Sequence, residues 1–178
     1  RIEFLKILKK KMKANIKIKN LRKSSGELVG SVVVKSSLLK STNFPKKLVP
    51  SFIDELPILF VIAALTKGVS KFTSIGEATK KESNRIKEMQ KILTQAGIFC
   101  KTTNDSMTIY GKEDLDFSNK SIIVKTQGDH RICMASVIFA LITGIKMKIQ
   151  NFETINTSFP NFMSLIRKVG GKIEIKKF

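Results

Sequence analysis

The stretch Lys80-Lys81-Glu82-Ser83-Asn84-Arg85 crowds three cations around the start of an amphipathic helix. From Glu82 onward the apolar residues recur at the spacing of one buried helical face, which predicts a helix over 82–96 that ends at Gly97. A helix N-terminus carries partial positive charge, so cations there are unfavourable unless an anion joins them. The stretch is therefore a candidate anion-binding site, and a solvated basic face is the alternative.

The order of helix, tight turn and strand that follows this stretch occurs three times, at 12–16, 95–98 and 168–173. Two nearly all-apolar helices, predicted at 56–66 and 132–142, occupy equivalent places before the second and third occurrences. The repeat spacing of about 75 to 80 residues exceeds that of solenoids, so each repeat is predicted to be a β-α-β-α-β-β unit. We expect an α/β (α+β) fold with the apolar helices buried in the middle.

The remaining elements follow from local patterns. Helices are predicted at 1–13 and 161–169, and strands at 16–19, 31–35, 69–72, 98–102, 107–110, 122–125, 146–149 and 172–175. Asp54 is the predicted N-cap of the first apolar helix, and Ser158 is that of the last helix. Asp129 stands in the position of a cap before the second apolar helix.

Composition indicates one globular domain or part of one, with 178 residues, 42% hydrophobic and 26% charged. The longest apolar run, 58–65, is far shorter than the roughly 18 residues that span a bilayer, so we expect a soluble chain with no membrane contact. Cys100 and Cys133 lie in apolar contexts without metal-ligand spacing, and His130 is the single histidine, which favours a reduced, cytoplasmic compartment and argues against a zinc site. The chain begins at Arg1 without methionine, so we expect a fragment or a processed chain.

The net charge of +19 permits nucleic acid, an anionic membrane or a small anionic substrate as a partner. The lysines are scattered, and their densest block, 6–13, lacks the interleaved aromatic residues that stack on bases, which argues against nucleic acid as the partner. Only five of the 33 basic residues are Arg, and Arg85 and Arg131 both stand at helix starts. Arginine there is typical of planar, bidentate recognition of carboxylate or phosphate.

Three predicted helix starts carry matching chemistry: Asp54; Lys81, Glu82 and Arg85; and Asp129, His130 and Arg131. If the repeats bring these starts to one end of the domain, carboxylates for proton transfer meet cations that bind carboxylate and phosphate groups. The sequence contains no Gly-rich nucleotide loop and no evident metal cluster. We therefore expect chemistry on a small, multiply anionic substrate, with no cofactor and no metal.

Four motifs resemble, in order and spacing, those of the 5-enolpyruvylshikimate-3-phosphate synthase family. They are Phe52-Ile53-Asp54-Glu55-Leu56-Pro57, Lys81-Glu82-Ser83-Asn84-Arg85, Gly128-Asp129-His130-Arg131-Ile132 and Thr157-Ser158-Phe159-Pro160-Asn161-Phe162. The resemblance spans 1–178 and matches only the C-terminal portion of the family's enzymes. It implies the enolpyruvyl transferase fold, which has two domains of three units each and an active site in the cleft between them. This chain would supply most of one domain, with units at 1–47, 48–112 and 113–178, and would lack the N-terminal half.

The resemblance implies transfer of the carboxyvinyl group of phosphoenolpyruvate to the 5-hydroxyl of shikimate 3-phosphate, with release of phosphate. Asp54 would accept the hydroxyl proton and bind the shikimate ring, and Lys81 would contact shikimate 3-phosphate. Glu82 would take part in proton transfer at the phosphoenolpyruvate methylene. Arg85 and Arg131 would bind phosphoenolpyruvate.

Other positions qualify this resemblance. His130 would support the phosphoenolpyruvate site by orienting its neighbours. The family usually has Asp where this chain has Asn84, and commonly Arg where it has Thr79, which leaves the positioning of Arg85 open. Because the N-terminal phosphate-binding groups of the family are absent, this chain alone is expected to have no turnover.

Three alternatives remain open from the sequence. The sister transferase that acts on a UDP-amino sugar shares the fold, but usually reads Asp-Leu-Arg where this chain has Asp129-His130-Arg131 and lacks the Lys-Glu-Ser pattern. A basic nucleic-acid-binding module predicts affinity that falls steeply with salt. A non-catalytic remnant is the third alternative.

Overall fold

Helices and strands alternate along the chain in a computed structural model, which describes residues 2–114, 116–117 and 120–174. The α-helices are α1 (Ile2–Lys10), α2 (Leu56–Ala64), α3 (Arg85–Gln95), α4 (His130–Thr143) and α5 (Phe162–Lys168). The strands are β1 (Asn15–Ser24), β2 (Glu27–Lys35), β3 (Gly68–Thr73), β4 (Phe99–Thr102), β5 (Ser106–Gly111), β6 (Ser121–Lys125) and β7 (Lys146–Gln150). Short 3-10 helices lie at Lys46–Ser51, Ile53–Glu55, Gly76–Lys80 and Phe152–Thr157.

The two apolar helices form the centre of the core, as the sequence predicts. Helices α2 and α4 contact each other, and α3 packs against both. Their fully buried side chains include Leu59 and Phe60 of α2, Met89 of α3, and Ile132 and Phe139 of α4. Because α2 and α4 are apolar on nearly every side, most of α2 and the first part of α4 are buried, whereas Leu141 and Ile142 at the end of α4 are exposed. No described helix has both the length and the apolar character needed to cross a membrane.

Three small sheets surround these helices. Strands β3, β5 and β4 form an antiparallel sheet in that order, β1 and β2 form an antiparallel hairpin, and β6 pairs with β7 in parallel. Helix α2 lies against the end of β5 at Gly111, where an added Cβ would lie 2.1 Å from the carbonyl oxygens of Ala63 and Thr66. Only glycine permits this close approach of helix and strand.

Helix α3 with the hairpin β4–β5 repeats the arrangement of α1 with β1–β2. Each helix leads into its hairpin through a residue with left-handed backbone, Gly97 at φ 86° and Lys13 at φ 63°. The strand registers correspond position for position, with the pairs Cys100–Ile109 and Thr102–Met107 matching Ile16–Val34 and Ile18–Val32. The structure therefore contains the first two of the three occurrences that the sequence predicts, whereas no strand follows α5 within residues 171–174. The division into units at 47 and 112 stays a prediction.

Several predicted boundaries are wrong. Helix α3 begins at Arg85 rather than at 82, because the side chain of Asn84 caps it by accepting a hydrogen bond from the backbone N–H of Lys87. Asp54 does not cap α2, since it lies in the 3-10 helix that precedes α2. Ser158 does not cap α5, which follows Asn161 directly.

The ends of the chain also differ from the prediction. Helix α1 ends at Lys10, and both strands of the first hairpin are longer than predicted. Residues 172–174 form no strand, and residue 175 of that predicted strand lies outside the described residues, as does Arg1.

Candidate functional site

The guanidinium of Arg85 lies at the point where the three predicted helix starts meet. Its Nε donates to Oδ2 of Asp129 at 2.9 Å, its Nη1 to Oδ1 of Asp54 at 3.1 Å, and its Nη2 to Oε2 of Glu82 at 2.6 Å. The arginine side chain is only 1% exposed. One buried cation therefore joins carboxylates from three separate segments, in the planar geometry that guanidinium favours.

Asp129 is fully buried and uses both of its carboxylate oxygens. Oδ2 accepts hydrogen bonds from Arg85 Nε and from the hydroxyl of Ser83 at 3.0 Å. Oδ1 accepts from the backbone N–H groups of Arg131 at 2.9 Å and Ile132 at 3.3 Å, so Asp129 caps α4 as its position in the sequence suggests. Burial raises its pKa, but the hydrogen bond and charge of Arg85 and the Ser83 bond outweigh burial and hold the pKa below its ordinary value.

Asp54 and Glu82 are the exposed carboxylates of the site, with side chains 41% and 45% exposed. The ammonium of Lys81 lies 3.2 Å from Oδ1 of Asp54, the oxygen that Arg85 also contacts. Burial raises the pKa of Asp54, but the hydrogen bond of Lys81, the charges of Arg131 and Lys81 and the hydrogen bond of Arg85 together lower it below its ordinary value. Asp54 therefore stays ionised above its lowered pKa and can accept a proton or a hydrogen bond from a ligand.

Arg131 reaches the same place from the start of α4. Its Nη1 donates to the backbone carbonyl of Asp54 at 2.8 Å and lies 3.6 Å from Oε1 of Glu55. These contacts hold the guanidinium beside the segment that carries Asp54. The predicted site residues Asp54, Lys81, Glu82, Arg85 and Arg131 are thus brought together in the folded chain.

His130 is the first residue of α4 and is partly buried. Among the described residues it makes no hydrogen bond or ion pair with the site carboxylates. Its supporting role stays a prediction.

The residues that sequence reasoning missed are those that hold the arginines. The sequence places Asp129 at a helix start of the site but does not predict its bond to Arg85, and it assigns no role to Ser83 or Glu55. The turn residues Gln127 and Gly128, which have left-handed backbone, place Asp129 before α4, and only the packing of α3 against α4 brings it to Arg85.

The described part of the chain shows no group of side chains suited to a metal ion, and its open cavity lies away from the site. Among residues 2–114, 116–117 and 120–174, no three His, Cys, Asp or Glu side chains are grouped so that they could hold a metal ion. An open, mostly apolar cavity of about 940 Å³ lies between α4, β7 and 169–174, and none of the site residues lines it. Burial raises the pKa of the Cys100 and Cys133 thiols to about 12, so both are inert at neutral pH.

Asn84 and Thr79, the departures from the family pattern, do not bond Arg85. Asn84 caps α3, and the Thr79 hydroxyl donates to the carbonyl of Gly76 at 2.7 Å. All three nitrogens of Arg85 are held by other residues, so the absence of a charge at position 84 leaves the arginine in place.

We expect Asn84→Ala to lower the free energy of unfolding by about 1 kcal/mol, because the first turn of α3 loses its cap. Asn84→Asp is the matched control: it keeps the acceptor and adds a charge that the helix N-terminus favours, so it should be neutral or slightly stabilising. Urea unfolding of the three proteins measures both effects. Equal stability of the alanine variant and the parent would contradict the capping role.

Comparisons with known proteins identify first the class and then the family. The fold matches a solved EPSP synthase from Acinetobacter baumannii with a TM-score of 0.88 and 34% identity, over 99% of this chain and 40% of that one. It also matches the enolpyruvyl transferase NikO from Streptomyces tendae with a TM-score of 0.66 and 14% identity, over 97% of this chain and 35% of that one. The fold is therefore that of the enolpyruvyl transferases, as predicted.

The family model for EPSP synthase (3-phosphoshikimate 1-carboxyvinyltransferase) matches residues 1–166, and the chain belongs to this family. A relative from Ruthia magnifica, named 3-phosphoshikimate 1-carboxyvinyltransferase, is 35% identical over 98% of this chain, and one of the same name from Clostridium tetani is 35% identical over 94%. The chain spans only 39% and 37% of the lengths of these two relatives.

Proposed function

We propose that this chain supplies one wall of the active site of a cytoplasmic 3-phosphoshikimate 1-carboxyvinyltransferase. The complete enzyme would transfer the carboxyvinyl group of phosphoenolpyruvate to the 5-hydroxyl of shikimate 3-phosphate and release phosphate. The observation that carries the proposal is the convergence of Asp54, Glu82 and Lys81 on Arg85. Two exposed carboxylates lie beside three cations there, which suits proton transfer on an anionic substrate.

The contacts of the site support a division of roles. Asp54, ionised and hydrogen-bonded by Lys81, is placed to accept the hydroxyl proton, and Lys81 is placed to bind shikimate 3-phosphate. Glu82 is exposed and is assigned the proton transfer at the phosphoenolpyruvate methylene. In this proposal Arg85 and Arg131 bind phosphoenolpyruvate.

A ligand can reach the guanidinium of Arg85 only if the carboxylates that cover it move away. A guanidinium has five N–H groups, of which the bonds to the chain use three, but the side chain is almost wholly covered. Asp54 and Glu82 form the exposed part of this cover, whereas Asp129 is buried. We infer that an anionic ligand displaces Asp54 and Glu82 from the outer nitrogens of Arg85 and leaves Asp129 in place.

The hairpin β1–β2 is the place where the rest of the enzyme would dock. In the matching hairpin β4–β5, β5 lies between β3 and β4 with α2 against it, and Met107 and Ile109 are 0% exposed. At the matching positions of β2, Val32 is 45% and Val34 is 65% exposed, and β2 pairs only with β1 among the described strands. An apolar face and an open strand edge of this kind are typical of an interface.

We infer that the occupant is a helix and strand equivalent to α2 and β3, from the part of the enzyme that this chain does not span. The relatives supply the length for it, since this chain covers about two fifths of them. The strand would pair along β2, and the helix would cover Val32 and Val34, as α2 covers the matching residues of β5.

Co-expression with the uncovered part of the Ruthia magnifica relative tests both proposals. We expect a stable complex that releases phosphate from phosphoenolpyruvate plus shikimate 3-phosphate, while either part alone does not. A folded complex without phosphate release would contradict the proposed reaction. Absence of a complex would contradict the docking surface instead.

Charge placed on the apolar face of β2 should prevent this assembly. We expect the double variant Val32→Lys and Val34→Lys to bind the second polypeptide at least about a hundredfold more weakly, because two ammonium groups would be buried. Ser31→Lys, on the opposite face of the same strand, is the matched control and should bind as the parent does. Titration by calorimetry gives the affinities, and equal affinities for the double variant and the control would refute the assigned face.

A further inference from the structure

Asp129 connects the two helix starts that carry both arginines of the site. Its Oδ2 accepts from Arg85 Nε and from Ser83, which belong to the start of α3, and its Oδ1 accepts from the backbone of Arg131 and Ile132 at the start of α4. No other described carboxylate bonds groups from both starts. Asp54 also contacts both arginines, Arg85 through its exposed carboxylate and Arg131 through its backbone carbonyl. Asp129 is therefore the buried carboxylate that ties the start of α3 to the start of α4.

The hydrogen bond from Arg85 Nε to Asp129 restricts the guanidinium more than the bonds from Nη1 and Nη2 do. Nε lies next to the aliphatic stem, so an acceptor there fixes both the position and the plane of the group. Asp54 and Glu82 bond the outer nitrogens and are themselves exposed, whereas Asp129 is fully buried and held by three further donors. Exposed carboxylates can rotate away at little cost, and a buried one with four hydrogen bonds cannot.

We propose that Asp129 is a positioning residue that keeps Arg85 in its binding orientation and in register with Arg131 when a ligand displaces Asp54 and Glu82. This rests on the proposed function for the identity of the ligand, phosphoenolpyruvate. The geometric part, that Asp129 alone secures Arg85, concerns this chain and is independent of the reaction.

The variant Asp129→Asn separates capping from positioning. Asparagine is also a good N-cap, so its amide oxygen can replace Oδ1 and keep α4 in place. Its NH₂ group then stands where Oδ2 was and faces the N–H of Arg85 and the hydroxyl of Ser83, so the acceptor for Nε is lost. Asp105→Asn is the matched control: Asp105 is exposed, and its Oδ1 accepts from the backbone of Gly76, a bond that an amide oxygen can keep.

The Nε–H resonance of Arg85 reports the bond directly in the 178-residue chain. The chain has only five arginines, so the resonance can be assigned by its loss in Arg85→Lys. We expect the Nε–H to exchange slowly with solvent in the parent and in Asp105→Asn, and at least about tenfold faster in Asp129→Asn, with the backbone spectrum preserved. Unchanged protection in folded Asp129→Asn would overturn the proposal.

A second variant decides the matter if Asp129→Asn does not fold. The double variant Asp54→Asn and Glu82→Gln removes both exposed carboxylates and leaves Asp129 intact. Its Arg85 Nε–H should keep the protection of the parent, since those residues bond only the outer nitrogens. Loss of protection there would show that Asp129 does not secure the arginine.

Kinetics of the reconstituted enzyme test the functional part separately. With Asp129→Asn we expect KM for phosphoenolpyruvate to rise by about tenfold to a hundredfold, and KM for shikimate 3-phosphate to stay within about twofold, because only the arginines are displaced. Adding Asp129→Asn to Arg85→Lys should not restore the KM for phosphoenolpyruvate of the parent. Equal changes in both KM values would indicate a general structural effect and overturn the positioning role.

Discussion

Replacing Arg85 by methionine is expected to lower the free energy of unfolding of this chain by about 3–5 kcal/mol. Methionine replaces the apolar stem of the arginine but carries no charge and lacks the outer guanidinium, so the main loss is the ion pair. Asp129 would be left fully buried without its ion-pair partner, and the desolvation of an unpaired carboxylate is what makes this change costly. Urea unfolding of the 178-residue chain measures the effect without any assay of activity.

The pH dependence of the same variant gives a second measurement. In the parent the pKa of Asp129 is lowered, so its stabilising contribution is present above the pKa of the unfolded chain and is lost as the pH falls through the folded-state pKa. Without Arg85, burial still raises the pKa of Asp129, and only the hydrogen bonds of Ser83 and of the Arg131 backbone are left to oppose it. In the variant, the ionised and unpaired carboxylate of Asp129 is then most destabilising at neutral pH. The stability difference between parent and variant should narrow as the pH falls from about 7 towards 4.

A double-mutant cycle distinguishes this explanation from general damage to the core. Adding Asp129→Asn to Arg85→Met removes the stranded charge, so the double variant should be more stable than Arg85→Met alone. Arg131→Met is the matched control, because that arginine is partly exposed and bonds only a backbone carbonyl and the more distant Glu55. We expect it to cost less than half as much. A loss of stability at Arg131 equal to that at Arg85 would count against the buried ion pair as the cause.

Arg131→Ala is expected to reduce kcat/KM of the reconstituted enzyme for phosphoenolpyruvate by about a hundredfold to a thousandfold, while this chain still folds. A guanidinium that binds the substrate anion contributes a charge-assisted interaction that alanine cannot replace. The start of α4 should be preserved, because its cap is formed by Asp129 and the backbone N–H of residue 131, which alanine retains. Phosphate release measures the rate, and hydrogen exchange of α4 measures the fold.

Arg131→Lys provides the intermediate comparison. Lysine keeps the charge but cannot bind a carboxylate or phosphate through two parallel N–H groups. We therefore expect kcat/KM for phosphoenolpyruvate to fall by about tenfold to a hundredfold. Arg167→Ala, a change on α5 away from the site, controls for the loss of one positive charge. Normal turnover by Arg131→Ala at ordinary phosphoenolpyruvate concentrations would remove Arg131 from the proposed binding group.

Much of the fold could be predicted from the sequence because strong local patterns determine it. The all-apolar segments at 56–66 and 132–142 predicted buried helices, and Gly97 marked the end of α3, since these signals depend on a few neighbouring residues. The helix starts were less predictable. Of the three predicted caps, Asp54, Asp129 and Ser158, only Asp129 caps its helix, and Asn84 caps α3 without having been predicted, because capping depends on backbone angles that nearby residues do not fix.

The sequence predicted which residues form the site, but not which hydrogen bonds they make. The spacing of Asp54, Lys81, Glu82, Arg85 and Arg131 indicated that these residues converge, and they do. From the sequence, we expect a bound ligand to neutralise the crowded cations. In the structure, three carboxylates of the chain itself neutralise Arg85. Long-range pairs such as Arg85 with Asp129 follow from packing of α3 against α4, which no local pattern encodes.

These internal pairs have a consequence for how substrate arrives. Four carboxylates, Asp54, Glu55, Glu82 and Asp129, lie against the three cations Lys81, Arg85 and Arg131, so these seven side chains together present no excess of positive charge to an approaching anion. The attraction over distance must come from the lysines scattered over the rest of the surface, which give the chain its charge of +19. Their field is screened beyond roughly 10 Å at moderate salt, whereas the buried bonds are not. Salt should therefore slow the capture of anionic substrates far more than it loosens the site that receives them.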